Sequence, residues 1–182
     1  HTWNPATGCS KPIETRADGT RFVSPECVHC YAETLSLRRG WTQHHWTEPN
    51  APLNVRIHRD RLRFPFKVKP EPGDIIHPRY PIRIFVNSMS DLFHREVPDS
   101  FIAEVFAAMN HPDNAGRIFQ VLTKRPERAA KWAGAWGPNI WMGTTVGHAD
   151  TRHRIDHLRG CQAKVKFVSA EPLLSSLMPL DL

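Results

Sequence analysis

Short apolar runs alternate with amphipathic segments from residue 82 to the end of the chain. The runs are rich in β-branched and aromatic residues and predict strands over residues 82–87, 118–123, 140–145 and 164–169. The segments between them predict helices over residues 99–109, 126–133 and 150–160, the last capped by Asp150. Strands that alternate with helices favour a parallel sheet with right-handed crossovers. The predicted fold class is therefore α/β, as a barrel, an open barrel or a doubly wound sheet.

The first 81 residues differ from the rest and divide into two regions. Residues 1–50 carry three of the four cysteines and show little periodicity. Residues 51–81 are rich in proline, arginine and lysine, which predicts loops and short helices and argues against a central strand. A chain of 182 residues buries enough surface for a core without disulfides, so we treat residues 1–182 as one α/β domain.

Polar side chains follow each predicted strand at its carboxyl end. They are Asn87, Ser88, Ser90 and Asp91 after the first strand, Thr123, Lys124 and Arg125 after the second, Thr144 and Thr145 at the third, and Ser169 and Glu171 at the fourth. In parallel α/β folds ligands bind at this edge of the sheet, so the four groups are expected to converge on one site. Loops after strands are often polar without any such role.

Three cysteines form the pattern Cys9-x17-Cys27-x2-Cys30. A two-residue gap lets a pair of thiolates bind one metal ion or two corners of a cluster, and the third sulfur completes a three-point attachment. A [4Fe–4S] cluster held by three cysteines keeps one iron open, whereas a structural zinc site needs a fourth protein ligand. Candidates for that ligand are His29, His44, His45 and Cys161. The spacing alone leaves zinc, an iron–sulfur cluster and no metal as alternatives.

The fourth cysteine, Cys161, lies between a helix stop and a strand, where a free thiol commonly packs as a small apolar residue. No secretory signal or membrane-spanning stretch is visible in the sequence. We therefore expect a reducing cytoplasmic setting, in a bacterial or phage-infected cell, where free thiols serve as metal ligands, catalytic groups or core atoms.

The chain carries 24 Lys and Arg against 18 Asp and Glu, a net charge of +6, which suits an anionic partner such as nucleic acid but also occurs in ordinary enzymes. The segment from Trp41 to Trp46 could stack on bases or pack against the sheet. The arginines behind it, Arg56, Arg59, Arg61 and Arg63, could hold phosphates or form a solvated face. The P-loop, Gly-x-Gly-x-x-Gly, His-Glu-x-x-His and nucleophile-elbow motifs are absent from the sequence.

Five motifs carry a family resemblance. They are Thr2-Trp3-Asn4-Pro5 with Gly8-Cys9, Cys27-x2-Cys30-Tyr31-Ala32, the stretch from Phe85 to His94, that from Gln120 to Pro126, and that from Ser169 to Leu174. Across nearly the whole chain the sequence resembles a phage and bacterial family of undefined function, first named from phage gene products, that is similar to the radical S-adenosylmethionine (SAM) superfamily. The family normally continues past residue 182, so we expect this chain to lack a C-terminal part.

The resemblance implies a partial (β/α) barrel with a [4Fe–4S] cluster held by Cys9, Cys27 and Cys30. In that superfamily the open iron binds the amino and carboxylate groups of SAM, and reduction releases methionine and a 5′-deoxyadenosyl radical. Carried over to this chain, the cofactor-binding residues are His29 near the adenine, Asn87, Ser88 and Asp91 at the methionine end, Lys124 or Arg125 at the carboxylate, and Glu171. The sequence departs from the superfamily in its first cysteine gap, which has seventeen residues and not three.

The expected function is thus reductive cleavage of SAM to modify an unknown substrate. The alternative is a non-enzymatic zinc or iron–sulfur module that engages nucleic acid or a partner protein through its basic surface.

Overall fold

The fold is described from a computed structural model that covers residues 1–16, 18–69 and 82–180. Its strands are β1 (Thr2–Trp3), β2 (Ala6–Thr7), β3 (Ile13–Thr15), β4 (Arg21–Val23), β5 (Arg56–Ile57), β6 (Ile82–Val86), β7 (Arg117–Thr123), β8 (Ile140–Thr145) and β9 (Val165–Ser169). Its α-helices are α1 (Tyr31–Arg38), α2 (Ala51–Asn54), α3 (Phe64–Lys67), α4 (Asp99–Asn110), α5 (Pro126–Ala130) and α6 (Arg154–Arg159). Short 3-10 helices cover Pro25–Cys27, Arg59–Arg63, Pro112–Asn114 and Ala149–Thr151.

A five-stranded parallel sheet in the order β1-β6-β7-β8-β9 forms the centre of the fold. The predicted α/β class is confirmed, and so are the four predicted strands, to within one residue at each end. Because the strand order follows the chain order with no reversal, the sheet is not doubly wound. Among the described residues β1 and β9 form its two edges and do not pair with each other, so the sheet is open.

The main core lies between this sheet and the helices that cover it. Helix α4 buries its apolar stripe of Phe101, Ile102, Val105, Phe106 and Met109. These residues recur at the spacing of an amphipathic helix and join the sheet side chains in one buried cluster. The prediction that Asp99 starts this helix is confirmed.

Two helix boundaries differ from the prediction. Helix α5 ends at Ala130, three residues before the expected end. Helix α6 begins at Arg154, because residues 149–151 form a separate 3-10 turn in which the His148 ring accepts a hydrogen bond from the Asp150 backbone N–H. Asp150 therefore does not cap α6. Its carboxylate instead accepts two hydrogen bonds from Arg16, at 2.8 and 3.0 Å.

The region of residues 51–81 contains short helices and no strand of the central sheet within its described part, residues 51–69, as predicted. Strand β5 pairs only with β2, in a small antiparallel ladder. The insertion between Cys9 and Cys27 contains the β3–β4 hairpin, which the sequence reading missed. The described ranges include no helix long and apolar enough to cross a membrane.

Residues of the Thr2-Trp3-Asn4-Pro5 motif hold strand β1 and the loop after it against the 3-10 helix at Arg61 and the end of β6. The indole of Trp3 is buried and donates to the Arg61 carbonyl at 2.8 Å. The Asn4 amide oxygen accepts from the Met89 N–H at 3.0 Å, which ties the loop to the end of β6. Gly8 has φ of +80°, and a Cβ there would lie 1.9 Å from the Asn54 carbonyl oxygen. Only glycine therefore fits directly before Cys9.

Gly8→Ala is expected to lower the free energy of unfolding by at least about 2 kcal/mol, because a left-handed alanine already costs about 1–2 kcal/mol and the clash adds to it. Gly19→Ala is the matched control, since Gly19 has a similar φ of +83° but open space around its Cβ position. Urea denaturation of both variants separates the cost of the left-handed backbone from the cost of the clash with Asn54. Equal losses at the two positions would show that the close approach to Asn54 does not matter.

Candidate functional site

A cavity of about 510 Å³ opens at the carboxyl edge of the parallel sheet. We call it the first cavity. Of the ten sequence-predicted site residues, nine line it: Cys9, Cys27, Cys30, Asn87, Ser88, Asp91, Lys124, Arg125 and Glu171. They come from the ends of three strands and from two separate stretches of the cysteine-bearing segment. The volume is within the range of small-molecule sites.

The three thiols reach the cavity from different local structures. Cys9 follows Gly8, whose N–H bonds to the Met89 carbonyl at 2.9 Å and so holds this loop against the end of β6. Cys27 ends a 3-10 helix and is 8% exposed. Cys30 directly precedes α1. All of the chain's cysteines are free thiols.

The other candidate metal ligands lie elsewhere. His29 is exposed and does not line the cavity, because the turn that brings Cys27 and Cys30 to it leaves the residue beside them facing solvent. The proposed contact of His29 with adenine stays a prediction that this geometry does not support. His45 pairs with Glu33 at 3.2 Å. Cys161 is buried in the main core, in line with the packing role expected for it.

Asp91 and Arg125 form a buried ion pair beneath the thiols, with 3.1 Å between Asp91 Oδ2 and Arg125 Nη1. Asp91 also accepts hydrogen bonds from the Thr123 hydroxyl at 2.6 Å and from the Lys124 N–H at 3.1 Å. Burial opposes ionisation of Asp91, but Arg125 and these donors hold the pKa of its carboxyl below the usual range. The pair therefore keeps both charges inside the protein.

Arg125 extends this network to the cysteine loop. Its Nη2 donates to the Ser10 carbonyl at 2.7 Å, and its Nη1 lies 3.6 Å from Cys9 Sγ. Burial raises the pKa of the Cys9 thiol to about 12, against the opposing effect of Arg125. Burial also raises the pKa of Cys27, against the opposing effect of Lys124. Both thiols therefore stay protonated unless a bound metal stabilises the thiolates.

Three buried polar groups that line the cavity have no hydrogen-bond partner among the described residues. They are both amide atoms of Asn87, the hydroxyl of Thr145 and the indole N–H of Trp46. Asn87 is only 4% exposed and has a φ of +67°, a left-handed conformation that asparagine tolerates better than most residues. Buried polar groups are normally paired, so these side chains are exceptions to the rule. Their unpaired atoms are buried behind the cavity wall, and a ligand would reach them only after a local side-chain movement.

Within the described ranges, no group of three or more His, Cys, Asp or Glu side chains is arranged to hold a single metal ion. The ligands of a tetrahedral zinc ion lie about 3.8 Å from one another, as follows from Zn–S bonds of about 2.3 Å. Cysteines that bind a cluster attach to different irons and are spaced more widely.

Comparison with known proteins places the chain in a family. The model of the family described as a protein of unknown function, DUF5131, matches residues 1–182. The chain belongs to the DUF5131 family. Among curated proteins and among solved structures the search finds no match.

This DUF5131 chain has a second layer of contacts that the sequence reading did not assign. His94 is fully buried, and its Nδ1 accepts from the Glu96 N–H at 3.1 Å. Its Nε2 lies 3.2 Å from the Ser10 N–H and 2.8 Å from the Ser10 hydroxyl. Ser10 in turn donates to Glu48 at 2.6 Å. His94 is the last residue of the motif that starts at Phe85. Its position three residues after Asp91 in that motif could have marked it as part of the site.

Burial, followed by the charge of Arg125, lowers the pKa of His94 from 6.5 to about 4. Between these two values the unfolded chain binds a proton that the folded chain excludes. The free energy of unfolding of the DUF5131 chain should therefore fall as the pH drops through this window, by up to about 1.4 kcal/mol per pH unit from this group.

His94→Gln removes this titration and should flatten the fall, as measured by urea denaturation at pH 7, 6, 5 and 4. The exposed His44→Gln variant is the control and should keep the slope of the wild-type protein. If the His94 variant retains that slope as well, His94 is not the group responsible.

Proposed function

We propose that the chain is an iron–sulfur protein of radical-SAM type, with Cys9, Cys27 and Cys30 as ligands of a [4Fe–4S] cluster and the first cavity as the SAM site. One observation carries the proposal: three free thiols, brought from two stretches of the chain, line one cavity at the carboxyl edge of a parallel sheet. The sequential strand order also suits an open part of a (β/α) barrel.

The donor set favours a cluster over a zinc ion. Among the described residues no three His, Cys, Asp or Glu side chains are grouped closely enough to hold a single ion, and His29 and Cys161 lie outside the cavity. A cluster held by three cysteines needs no fourth protein ligand. The cations Arg125 and Lys124 lie near Cys9 and Cys27 and would stabilise the negative charge of these residues as thiolate ligands.

Polar groups at the two sides of the cavity suit a ligand the size of SAM. Asn87 follows β6 and Thr145 ends β8, on either side of β7. Neighbouring strands are about 4.8 Å apart, so the two side chains start roughly 10 Å from each other. A nucleoside that carries an amino acid is long enough to reach both. Lys124, between them, has no carboxylate partner among the described residues and suits the ligand's carboxylate.

When bound, the cluster would supply the electron for reductive cleavage of SAM. The protein's own part is to orient the ligand and exclude water. Asn87 and Thr145 would form hydrogen bonds with the ligand, and Lys124 would balance the charge of its carboxylate. The Asp91–Arg125 pair would hold the loop around Cys9 in place. Free thiols and the lack of a membrane-spanning helix in the described ranges suit a reducing, cytoplasmic setting.

Anaerobic purification and counting of iron, sulfide and zinc test the cluster. The wild-type protein should contain about four irons and four sulfides per chain, as a [4Fe–4S] cluster requires. Cys27→Ala and Cys30→Ala should each lose most of this content, because each removes an iron ligand. Cys161→Ala is the matched control and should keep it, since that thiol is buried in the core.

Incubation of the reconstituted protein with a reductant and SAM should then yield methionine and 5′-deoxyadenosine. One zinc per chain without iron contradicts the proposal and favours a structural metal module. A cluster with no SAM cleavage favours a non-enzymatic iron–sulfur protein. The metal content and the product assay therefore distinguish the two alternatives from the proposed enzyme.

Neighbouring threonines on β8 test whether the cavity binds SAM through its unpaired groups. Thr145 is unpaired and lines the cavity, whereas the Thr144 hydroxyl donates to the Thr123 carbonyl at 2.9 Å and does not line it. Thr145→Val should leave the free energy of unfolding unchanged or raise it, because it removes a buried unpaired hydroxyl, and should weaken SAM binding about tenfold.

Thr144→Val should show the opposite pattern, with a loss of about 1 kcal/mol in the free energy of unfolding and unchanged SAM affinity. Calorimetric titration with SAM and urea denaturation measure the two effects. If Thr145→Val binds SAM as well as the wild-type protein does, the unpaired hydroxyl does not contact the ligand.

A further inference from the structure

A second cavity, of about 470 Å³, lies beside the first and shares Pro12, Lys124 and Arg125 with it. The β3–β4 hairpin, Glu48, the loop after β6 at Phe93 and Arg95, helix α5 and the start of α6 form its remaining walls. The proposed function assigns no role to this space. It is therefore a separate candidate for ligand binding that shares one wall with the first cavity.

Basic side chains outnumber acidic ones in the second cavity. Six Arg and Lys side chains line it, against three Glu side chains. Four of the cations already contact a carboxylate: Arg95 binds Glu48, Arg125 binds Asp91, Arg128 binds Asp99 and Arg154 binds Glu14. Arg21 and Lys124 have no carboxylate partner within the described ranges. Arg21 remains available to an anionic ligand. Lys124 has three N–H donors and lines both cavities, so it can be shared between that ligand and the carboxylate of a ligand in the first cavity.

Two of the three acidic residues that line the cavity are engaged by other groups. Glu14 accepts from Arg154 and also lies 3.3 Å from His153. Glu48 is engaged by Arg95 and by the Ser10 hydroxyl. Glu127 is exposed and is the remaining acidic side chain of the lining, so it offsets one of the two charges. The uncompensated charge of the cavity is therefore positive by one unit.

We propose that the second cavity binds the phosphate group of a nucleotide substrate, free or within a nucleic-acid strand. Arg21 starts β4 and Lys124 follows β7, so the two cations come from separate elements of one cavity. A phosphate offers several acceptor oxygens at once, which suits cations from separate elements better than a single carboxylate does.

Lys124 also explains how such a site would serve the first cavity. Because its side chain lines both spaces, a phosphate bound in the second cavity is held next to the proposed SAM site. Holding a substrate close to the reacting cofactor is itself a large part of catalysis. The role of the phosphate site in placing the substrate rests on the proposed function. Phosphate binding itself does not depend on the proposed function.

Fluorescence anisotropy with a labelled twelve-nucleotide single strand and with labelled AMP tests the inference on the full chain. Arg21→Glu should weaken binding of the phosphate probe at least about tenfold, because it replaces an uncompensated cation with an anion. Arg83→Glu is the matched control, as Arg83 is also an exposed arginine on a strand and lines neither cavity. It should change the affinity less than about twofold.

The two probes also identify the source of the phosphate. Tighter binding of the strand, with an affinity that falls steeply with salt, indicates nucleic acid, and equal binding of AMP indicates a free nucleotide. Failure of the wild-type protein to bind either probe overturns the inference, and so do equal losses in Arg21→Glu and Arg83→Glu. Arg21→Gln, checked by its thermal melt, removes the charge without inverting it and guards against misfolding.

Iron and sulfide content separates this inference from the proposed function. Arg21 lies outside the first cavity, so Arg21→Glu should retain the cluster content of the wild-type protein. Phosphate binding without a cluster would overturn the proposed function alone. A cluster with no phosphate binding would overturn the present inference alone.

Discussion

Two arginines, the partly buried Arg125 and the fully buried Arg154, fasten the cysteine-bearing residues 1–50 to the parallel sheet, and the geometry of the first cavity depends on them. Between Cys9 and Cys27 this segment contains only the β3–β4 hairpin and the start of a 3-10 helix, so backbone ladders to the central sheet do not fix the positions of these thiols. Arg125 holds the stretch around Cys9 through the Ser10 carbonyl. Arg154, which is 1% exposed, holds the stretch before Cys27 through Ser24 at 2.7 Å and through Glu14.

Glu26 completes the second of these attachments, directly before Cys27. Its carboxylate accepts from the Gly147 N–H at 2.8 Å and from the hydroxyls of Thr151 and Ser24, both at 2.6 Å. Burial opposes ionisation, yet these donors and Arg154 lower the pKa of Glu26 to about 2. Buried ion pairs seldom stabilise a fold more than apolar packing would, but removing one partner is costly. Here they fix which loop meets which strand end.

The sequence predicted the parts of the molecule that are encoded locally. Strands β6 to β9 follow from β-branched and aromatic runs, and the polar residues at their ends follow from the rule that parallel strands share one carboxyl edge. Strand β1 was missed because its two residues carry no periodic signal and its pairing partner is β6, about 80 positions away. The role of Asp150 was wrong because Arg16, far along the chain, binds its carboxylate.

The details of the site were less predictable for the same reason. Asn87 was selected because it ends a strand, but its left-handed backbone and unpaired amide depend on the packing of several loops. The second cavity combines residues from Pro12 to His157, and no short motif contains them. His29 was placed by analogy with a motif, whereas the turn between Cys27 and Cys30 leaves its side chain exposed.

Around the first cavity two charged side chains are paired with each other, whereas several neutral polar side chains are not paired. The charged groups beneath it, Asp91 and Arg125, satisfy each other. The neutral polar atoms of Asn87 and Thr145, whose side chains line it, are buried and unpaired. Each unpaired group costs about 1–3 kcal/mol when buried, a cost that the extensive core can offset. A ligand of the proposed kind that paired them after a local side-chain movement would regain this free energy, and the ion pairs that hold the thiols would stay in place.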